Sequence, residues 1–513
     1  MSGTPRKLAR GSALNVINLV ATAVVSVLIM PFIVRSLGDR LYGIWALVAA
    51  IIGYYGLLEL GLSSAIRRYL AAAMGADNRE ECNRVYNTAL FIYTALGAIA
   101  LLVSIVLAAL SPWLTRTPAD ASLFWKVILI VGVSVAVNFP VRVYRGVLEA
   151  HLSFDRAASL DLLALALRTA LVIPLLHAGY RVVGLASATL LSNLPSAILS
   201  WYFAHREIPY LHIETQYWRR ATARTLFSYS TYSFLAQVAD ILRFQLDSLV
   251  VASFLGLAYV THYSIAGRLS QYFMGLIQAL VGVFASVFSR REGAQDFAGM
   301  QSAFFFASKI SICSASFVAF GLIAWSKPFI ARWMGPQYID SYAPLVALVT
   351  GCTFALWQTP SVALLFGISK HKFFAFMSIA EGTLNLILSL ILAKYYGMLG
   401  VALGTMIPMA ITKLLIQPVY VCRVSQIAYR EYLAIAGRTL ALVVAALIIP
   451  LWLTTQLAAP NYRALALLAL LSAAAYLPVI WRFVFNAQEL VWLNQAIRPR
   501  LGLPALAPAE TSE

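Results

Sequence analysis

FIVRSLGDRLYGIWAL, residues 32–47, returns in outline further along the chain as LVVASFLGLAYVTHYSI, residues 249–265. Setting Gly38 on Gly256, a shift of 218 (256 − 38), pairs Trp45 with Tyr263. Nearly the same shift brings SPWLTR, ending at Arg116, onto SKPFIAR, ending at Arg332, and NFPVRVYRGVLEAHLSFD at 138–155 onto QTPSVALLFGISKHKFFA at 358–375. In that register Pro140 falls on Pro360, His151 on His371 and Asp161 on Glu381, and GLASAT at 184 precedes GVALGT at 400 by a similar distance. Each match is weak alone, but their common order at one spacing is the signature of an internal duplication.

What is duplicated is membrane-spanning. The chain has 513 residues, 61% of them hydrophobic and 12% charged, with a mean hydropathy of +0.79, far from soluble composition. A helix of roughly twenty apolar residues crosses a bilayer. About fourteen such blocks begin near residues 12, 41, 86, 123, 157, 182, 226, 261, 303, 342, 373, 398, 433 and 463. The fold class is therefore an all-α polytopic membrane protein of about fourteen transmembrane helices. Six helices fall in each repeat. Because six is even, the two halves enter the membrane from the same side, and the repeat axis lies along the membrane normal. The domains expected are an N-terminal lobe (1–204, helices 1–6), a linker (205–225), a C-terminal lobe (226–425, helices 7–12), an extra helix pair (426–485) and a tail (486–513). Lobes of this kind enclose a central hollow and rock about it.

A formal net charge of +17 raises nucleic acid as a partner, and the placement of the charges argues against it. Arg6, Lys7 and Arg10, then Arg67, Arg68, Arg79 and Arg84, then Arg142, Arg145 and Arg156, fall in alternate loops, as do the later basic groups through Arg498 and Arg500. The intervening loops hold only Arg35, Arg40, Arg116, Arg181, Lys327, Arg332, Lys394 and Arg463. This is the positive-inside pattern. It places both termini in the cytoplasm of a bacterial inner membrane protein, with membrane lipids and not nucleic acid as partners. The linker HREIPYLHIETQYWRRATAR, 205–224, mixes aromatics and arginines like an interfacial amphipathic segment. Cys82, Cys313, Cys352 and Cys422 lie in separate segments and the six histidines have no ligand spacing, so neither disulfides nor a metal site is expected. Walker A, HExxH, GxSxG and GxGxxG motifs are missing from the sequence, which argues against ATP hydrolysis and against an enzyme, and assigns no catalytic residue and no cofactor.

The apolar blocks carry charges that lipid would not accept. In QVADILRFQLDS, 237–248, Asp240, Arg243 and Asp247 fall at i, i+3 and i+7 and share one helix face with Ser233 and Gln237. A charge at the bilayer centre costs roughly 2.5–3.5 kcal/mol on insertion scales, so this face meets water or polar partners. In the first helix Asn15, Asn18, Thr22 and Ser26 form the matching face. Arg268, Gln271, Gly275 and Gln278 form another in the eighth. Asp161, Arg168, Glu59, Lys309, Glu381 and Lys413 complete the ionisable set. These groups either pair between helices as polar glue or work in transport. In the transport reading Arg243, Arg268, Gln237, Gln271, Asn15, Asn18 and Arg168 bind substrate, while Asp240, Asp247, Glu381 and Asp161 couple to a proton or sodium ion, since two carboxylates beside one guanidinium leave one negative charge to neutralise. Glu59 is expected to be structural, and Lys309 and Lys413 either join the set or snorkel to the interface. Pro140 and Pro360 are expected to bend their helices.

The stretch YYGLLELGLSSAIRRYLAAAMGADNREECNRVYNTA, 54–89, with LGDRLYGIWAL before it and RWMGPQY at 332–338, resembles the Wzx-type oligosaccharide flippases of the multidrug/oligosaccharidyl-lipid/polysaccharide superfamily, over residues 10 to about 425. The resemblance implies a MATE-like core of 6+6 helices that moves polyprenyl-pyrophosphate-linked sugar units from the cytoplasmic to the periplasmic leaflet for O-antigen, capsule or exopolysaccharide synthesis. It implies a cavity lined with basic residues, a pattern that Arg243 and Arg268 fit and Asp240 and Asp247 depart from. Polymerase and chain-length proteins of the same pathway are the implied partners. The rival readings are a MATE-type drug or cation antiporter, favoured by the acidic cluster, and a membrane polysaccharide polymerase or glycosyltransferase, disfavoured by the short outward loops.

Overall fold

A computed structural model describes residues 4–114, 117–228, 234, 238, 245–282, 284–368, 370, 372–456, 461–486 and 488–490. Among these residues the regular secondary structure is helical, without a strand. Among the described residues, eleven helical stretches are long and apolar enough to cross a membrane by length and composition. One of them, Lys372–Val424, has 53 residues. At 1.5 Å per residue it would extend about 80 Å, more than twice the ~30 Å hydrocarbon core, and its helix breaks at Gly397 (φ 56°). The seventh span expected from residue 226 lies largely outside the described residues.

Helix starts follow local chemistry. Asn78 caps Arg79–Ala109 by accepting from Glu81 N at 3.0 Å. Asp296 caps Phe297–Trp333 through Gly299 N, and Asn461 caps Tyr462–Phe483 through Ala464 N. Each satisfies a backbone N–H that the first turn leaves unpaired.

The chain divides into two compact units, Met1–Ser264 with Ser378–Val401, and Ile265–Met377 with Ala402–Glu513. In the first, Pro118–Ala150 packs on Arg79–Ala109, Arg181–Glu207 and Leu62–Gly75, while Thr4–Leu37 packs on Phe154–His177. Tyr55, Leu62, Ile66, Tyr86, Tyr93 and Phe139 form its core. In the second, Phe297–Trp333 packs on Tyr342–Trp357 and on Tyr429–Gln456, which also pairs with Tyr462–Phe483.

The repeat is visible in the backbone. Gly38 and Gly256, matched by the 218 shift, both take positive φ (74° and 105°), the region glycine enters without steric cost. Their two loops meet inside the first unit. Thr261 Oγ1 donates to Asp39 O at 2.6 Å, and His262 Nε2 lies 3.7 Å from Asp39 Oδ2. A Cβ on Gly43 would come within 1.9 Å of Leu257 O, so only glycine permits this approach. The two prolines behave differently: Pro140 sits inside the continuous helix Pro118–Ala150, whereas Pro360 opens a new helix, Thr359–Gly367, after the break at Gln358.

Residues 210–214 of the linker are tied to Arg79–Ala109 by two asparagines one turn apart. Asn83 donates to Tyr210 O (2.9 Å) and accepts from His212 N (2.9 Å). Asn87 donates to His212 O (2.8 Å) and accepts from Glu214 N (2.9 Å). The spacing is commensurate: four helical residues rise about 6 Å, and two extended residues about 6.6–6.8 Å, so a helix face serves as the partner that a strand would supply. Beside it Tyr210 Oη lies 3.8 Å from Cys82 Sγ, and burial pushes that phenol up to about 12, keeping it a neutral donor. Asn87→Ala removes both bonds to the linker. The expected loss is about 1–3 kcal/mol, read as faster proteolysis within 208–219 in detergent with the helical signal retained.

Candidate functional site

On Pro118–Ala150 the residues Val131, Ser134, Asn138, Arg142 and Arg145 recur at spacings of three and four, which puts them on one helix face. That face lines a cavity of about 320 Å³ inside the first unit. Tyr55 from Asp39–Leu58, Asp161 from Phe154–His177, and Thr189 and Asn193 from Arg181–Glu207 complete its polar wall. The size falls within the range of small-molecule sites.

Two guanidinium–carboxylate pairs hold this wall. Arg142 Nη1 is ion-paired with Glu59, whose side chain is only 8% exposed against 43% for Arg142. Glu59 is fixed from behind, accepting from Tyr93 Oη at 3.0 Å and from Ser63 Oγ. Arg145 Nη2 is ion-paired with Asp161, and the same nitrogen reaches Ala157 O at 3.4 Å. Arg145 Nε is buried with no hydrogen-bond partner among the described residues. Asn138 Nδ2 donates to Ser134 O (2.9 Å) and Asn193 Nδ2 to Ser134 Oγ (3.1 Å), so the amide groups are held in position. The wall carries two positive and two negative charges, with the cations presented to the cavity and Glu59 drawn behind them.

This arrangement revises the reading of two residues and locates two others. Arg142 and Arg145, counted from sequence among the loop charges, lie within Pro118–Ala150 and line the cavity. Their spacing from Ser134 and Asn138 was the available signal, obscured because two arginines so near the end of an apolar block look like a loop. Glu59, expected to be structural, is ion-paired with the cavity arginine Arg142, a contact in keeping with that role. Asp161, expected in cation coupling, does lie in the cavity, paired with Arg145.

Of the other expected site residues, those that are described lie outside this cavity. Gln237, Asp240 and Arg243 fall outside the described residues, as does the side chain of Asn15. Asn18 Oδ1 accepts from Thr22 Oγ1 at 3.5 Å within Thr4–Leu37. Arg168 is exposed on Phe154–His177. Asp247 is buried and accepts from Tyr263 Oη at 2.6 Å. Arg268 and Gln271 are exposed and 3.5 Å apart in the second unit, while Glu381 is 1% exposed. Lys309 does not snorkel: its ammonium is held at 2.9 Å by both oxygens of Glu489. Lys413 does not snorkel either, being buried in the π-helical turn Ile411–Ile416 with Nζ 5.2 Å from the centre of the Phe374 ring. In both cases a partner inside the protein replaces the headgroup region.

The fold is MATE-like, as its likeness to solved structures shows. An inward-facing multidrug resistance MATE family transporter matches with a TM-score of 0.70 at 19% identity, covering 79% of this chain and 96% of that one. The lipid II flippase MurJ in an inward closed conformation matches with a TM-score of 0.70 at 16% identity, covering 92% of this chain and 98% of that one. The chain belongs to the polysaccharide biosynthesis protein family, which it matches over residues 32–343. It is also 24% identical over 424 residues to the putative O-antigen transporter of Shigella flexneri, spanning 79% of this chain and 96% of that protein.

Proposed function

We propose that this protein is a flippase for polysaccharide precursors, carrying polyprenyl-pyrophosphate-linked oligosaccharides from the cytoplasmic to the periplasmic leaflet of the inner membrane, with both termini cytoplasmic. The observation that carries the reading is the paired Arg142 and Arg145 in the first-unit cavity, beside Asn138, Asn193 and Thr189. A pyrophosphate presents several acceptor oxygens to guanidinium groups, which bind such groups bidentately. The amides and hydroxyls suit sugar hydroxyls. The Nε of Arg145, without a partner among the described residues, is a donor that an anion would satisfy. The family match and the O-antigen transporter relative support a polysaccharide precursor as the cargo class.

Coupling follows from the same pairs. An arriving anion competes with Glu59 and Asp161 for their guanidinium groups. Glu59, whose side chain is only 8% exposed, is so released in a poorly hydrated position and is neutralised by a proton or a sodium ion. Cargo binding and cation uptake are then one exchange. The polyprenyl tail needs an apolar track, and the second unit has one of about 490 Å³ between Phe297–Trp333 and Tyr462–Phe483, walled by Phe317, Leu322, Trp325, Phe329 and Leu465. Polymerase and chain-length proteins are the partners to which such a flippase would deliver.

The test is a leaflet-accessibility assay in proteoliposomes with a polyprenyl-pyrophosphate glycan. Wild-type protein should move the lipid under an inward or outward proton or sodium gradient, and Arg145→Ala should reduce the rate by at least about tenfold, the loss of one charge-assisted contact. Unchanged translocation by Arg145→Ala would remove the cavity from the mechanism. Gradient-driven movement of a cationic dye, without movement of the glycolipid, would instead establish a drug antiporter.

A further inference from the structure

At the opposite end of the first unit's helices from the basic loops is a second concavity, of about 610 Å³. One end is polar. Asp120, 4% exposed, takes Arg40 Nε at 3.1 Å and Nη2 at 2.7 Å on a single oxygen, Oδ2. Thr117 Oγ1 accepts from the same Nη2 at 2.6 Å and donates to that carboxylate at 2.8 Å. The guanidinium is thus gripped along one edge by Thr117 and the buried Asp120 while its side chain remains 55% exposed. The rest of the concavity is apolar, with Leu47, Ile51, Phe124 and Leu249 along its walls and Trp113 and Tyr259 at its mouth. Trp113 is 89% exposed, as is usual for aromatics at the level of the headgroups.

We propose that this groove is a binding site for a glycerophospholipid, with the phosphodiester on the free edge of Arg40 and one acyl chain along Leu47, Ile51 and Leu249. Charge selects this ligand over the pyrophosphate cargo. Arg40 and Asp120 together are net neutral, so what the site offers an anion is the free N–H edge of the guanidinium. That is enough for the single charge of a phosphodiester, whereas the two or more charges of a pyrophosphate would meet the Asp120 carboxylate with no further cation among the described lining residues. Asp120 and Thr117 act as positioning residues, since they fix the guanidinium plane without reaching the groove's outer edge. A greasy groove with a fixed cation at its mouth matches a lipid lying parallel to the spans, with its headgroup among the helix ends.

The experiment is native mass spectrometry of the full chain released from detergent with phosphatidylglycerol, with diacylglycerol of the same chains and with a polyprenyl pyrophosphate. Phosphatidylglycerol should be retained by the wild-type protein and diacylglycerol should not. Arg40→Gln should lower retention about tenfold or more. Since Arg40→Gln also leaves Asp120 without its ion pair, Ala252→Trp, which fills the groove and spares that pair, provides the second variant and should lower retention similarly. Equal retention of diacylglycerol, retention unaffected in both variants, or displacement of phosphatidylglycerol by stoichiometric polyprenyl pyrophosphate would each overturn the proposal. Translocation is not read in this experiment, so its outcome is independent of the cargo assigned above.

Discussion

Arg142→Ala should abolish glycolipid translocation and cost about 3 kcal/mol of stability, because Glu59 is then left as a buried carboxylate without its cation. Breaking a buried ion pair by removing one partner costs about 3–5 kcal/mol. The lower end applies here, since the arginine is 43% exposed and water can follow it into the cavity. Two variants separate the structural from the functional part. Glu59→Gln with Arg142→Met removes both charges, so stability should return to near the wild-type value while translocation stays absent. Arg142→Lys keeps the charge but not the bidentate fork, so it should fold with the wild-type melting temperature and move lipid slowly. Thermal unfolding in detergent and the leaflet assay together read the outcome. A double variant that transports normally would show that the pair serves only to hold Asp39–Leu58 to Pro118–Ala150.

The second large effect is expected at Glu489. Its two oxygens hold Lys309 Nζ at 2.9 Å, the side chains being 15% and 8% exposed for lysine and glutamate. Asn486 N donates to Glu489 Oε2 at 2.9 Å, and Glu489 N to Asn486 Oδ1 at 2.8 Å, a reciprocal cap that fixes the carboxylate in place. Glu489→Ala therefore strands an ammonium group inside the second unit and should lower stability by about 3–5 kcal/mol. Lys309→Met in the same chain should recover most of that loss. The measurement is the melting temperature of the purified protein, with proteolysis after residue 486 as an independent reading. If Glu489→Ala melts with the wild type, the contact is not part of the native unit.

Much of the architecture was legible because hydrophobicity and helix geometry are local. Blocks of twenty apolar residues and the paired glycines 38 and 256 each announce themselves within a few positions, and the structure places helix breaks at both glycines. The candidate site was less legible. Sequence drew attention to charges in the middle of apolar blocks, where insertion cost makes them conspicuous, and passed over Arg142 and Arg145 near a block's end, where a loop explains them equally well. The asparagine pair that holds the linker had no signature at all, since nothing in residues 83 and 87 names 210–214 as their partner.

The sequence by itself determined that the chain is a duplicated bundle of membrane-spanning helices, because crossing a bilayer requires each segment to satisfy its own backbone hydrogen bonds and to be apolar along its length. Only the tertiary structure decided which charges neutralise one another. Arg142 with Glu59 and Lys309 with Glu489 are separated by 83 and 180 residues, and such pairings depend on how whole helices dock. A buried charge is tolerated wherever any opposite charge arrives, so its presence in a sequence states a need and leaves the partner open.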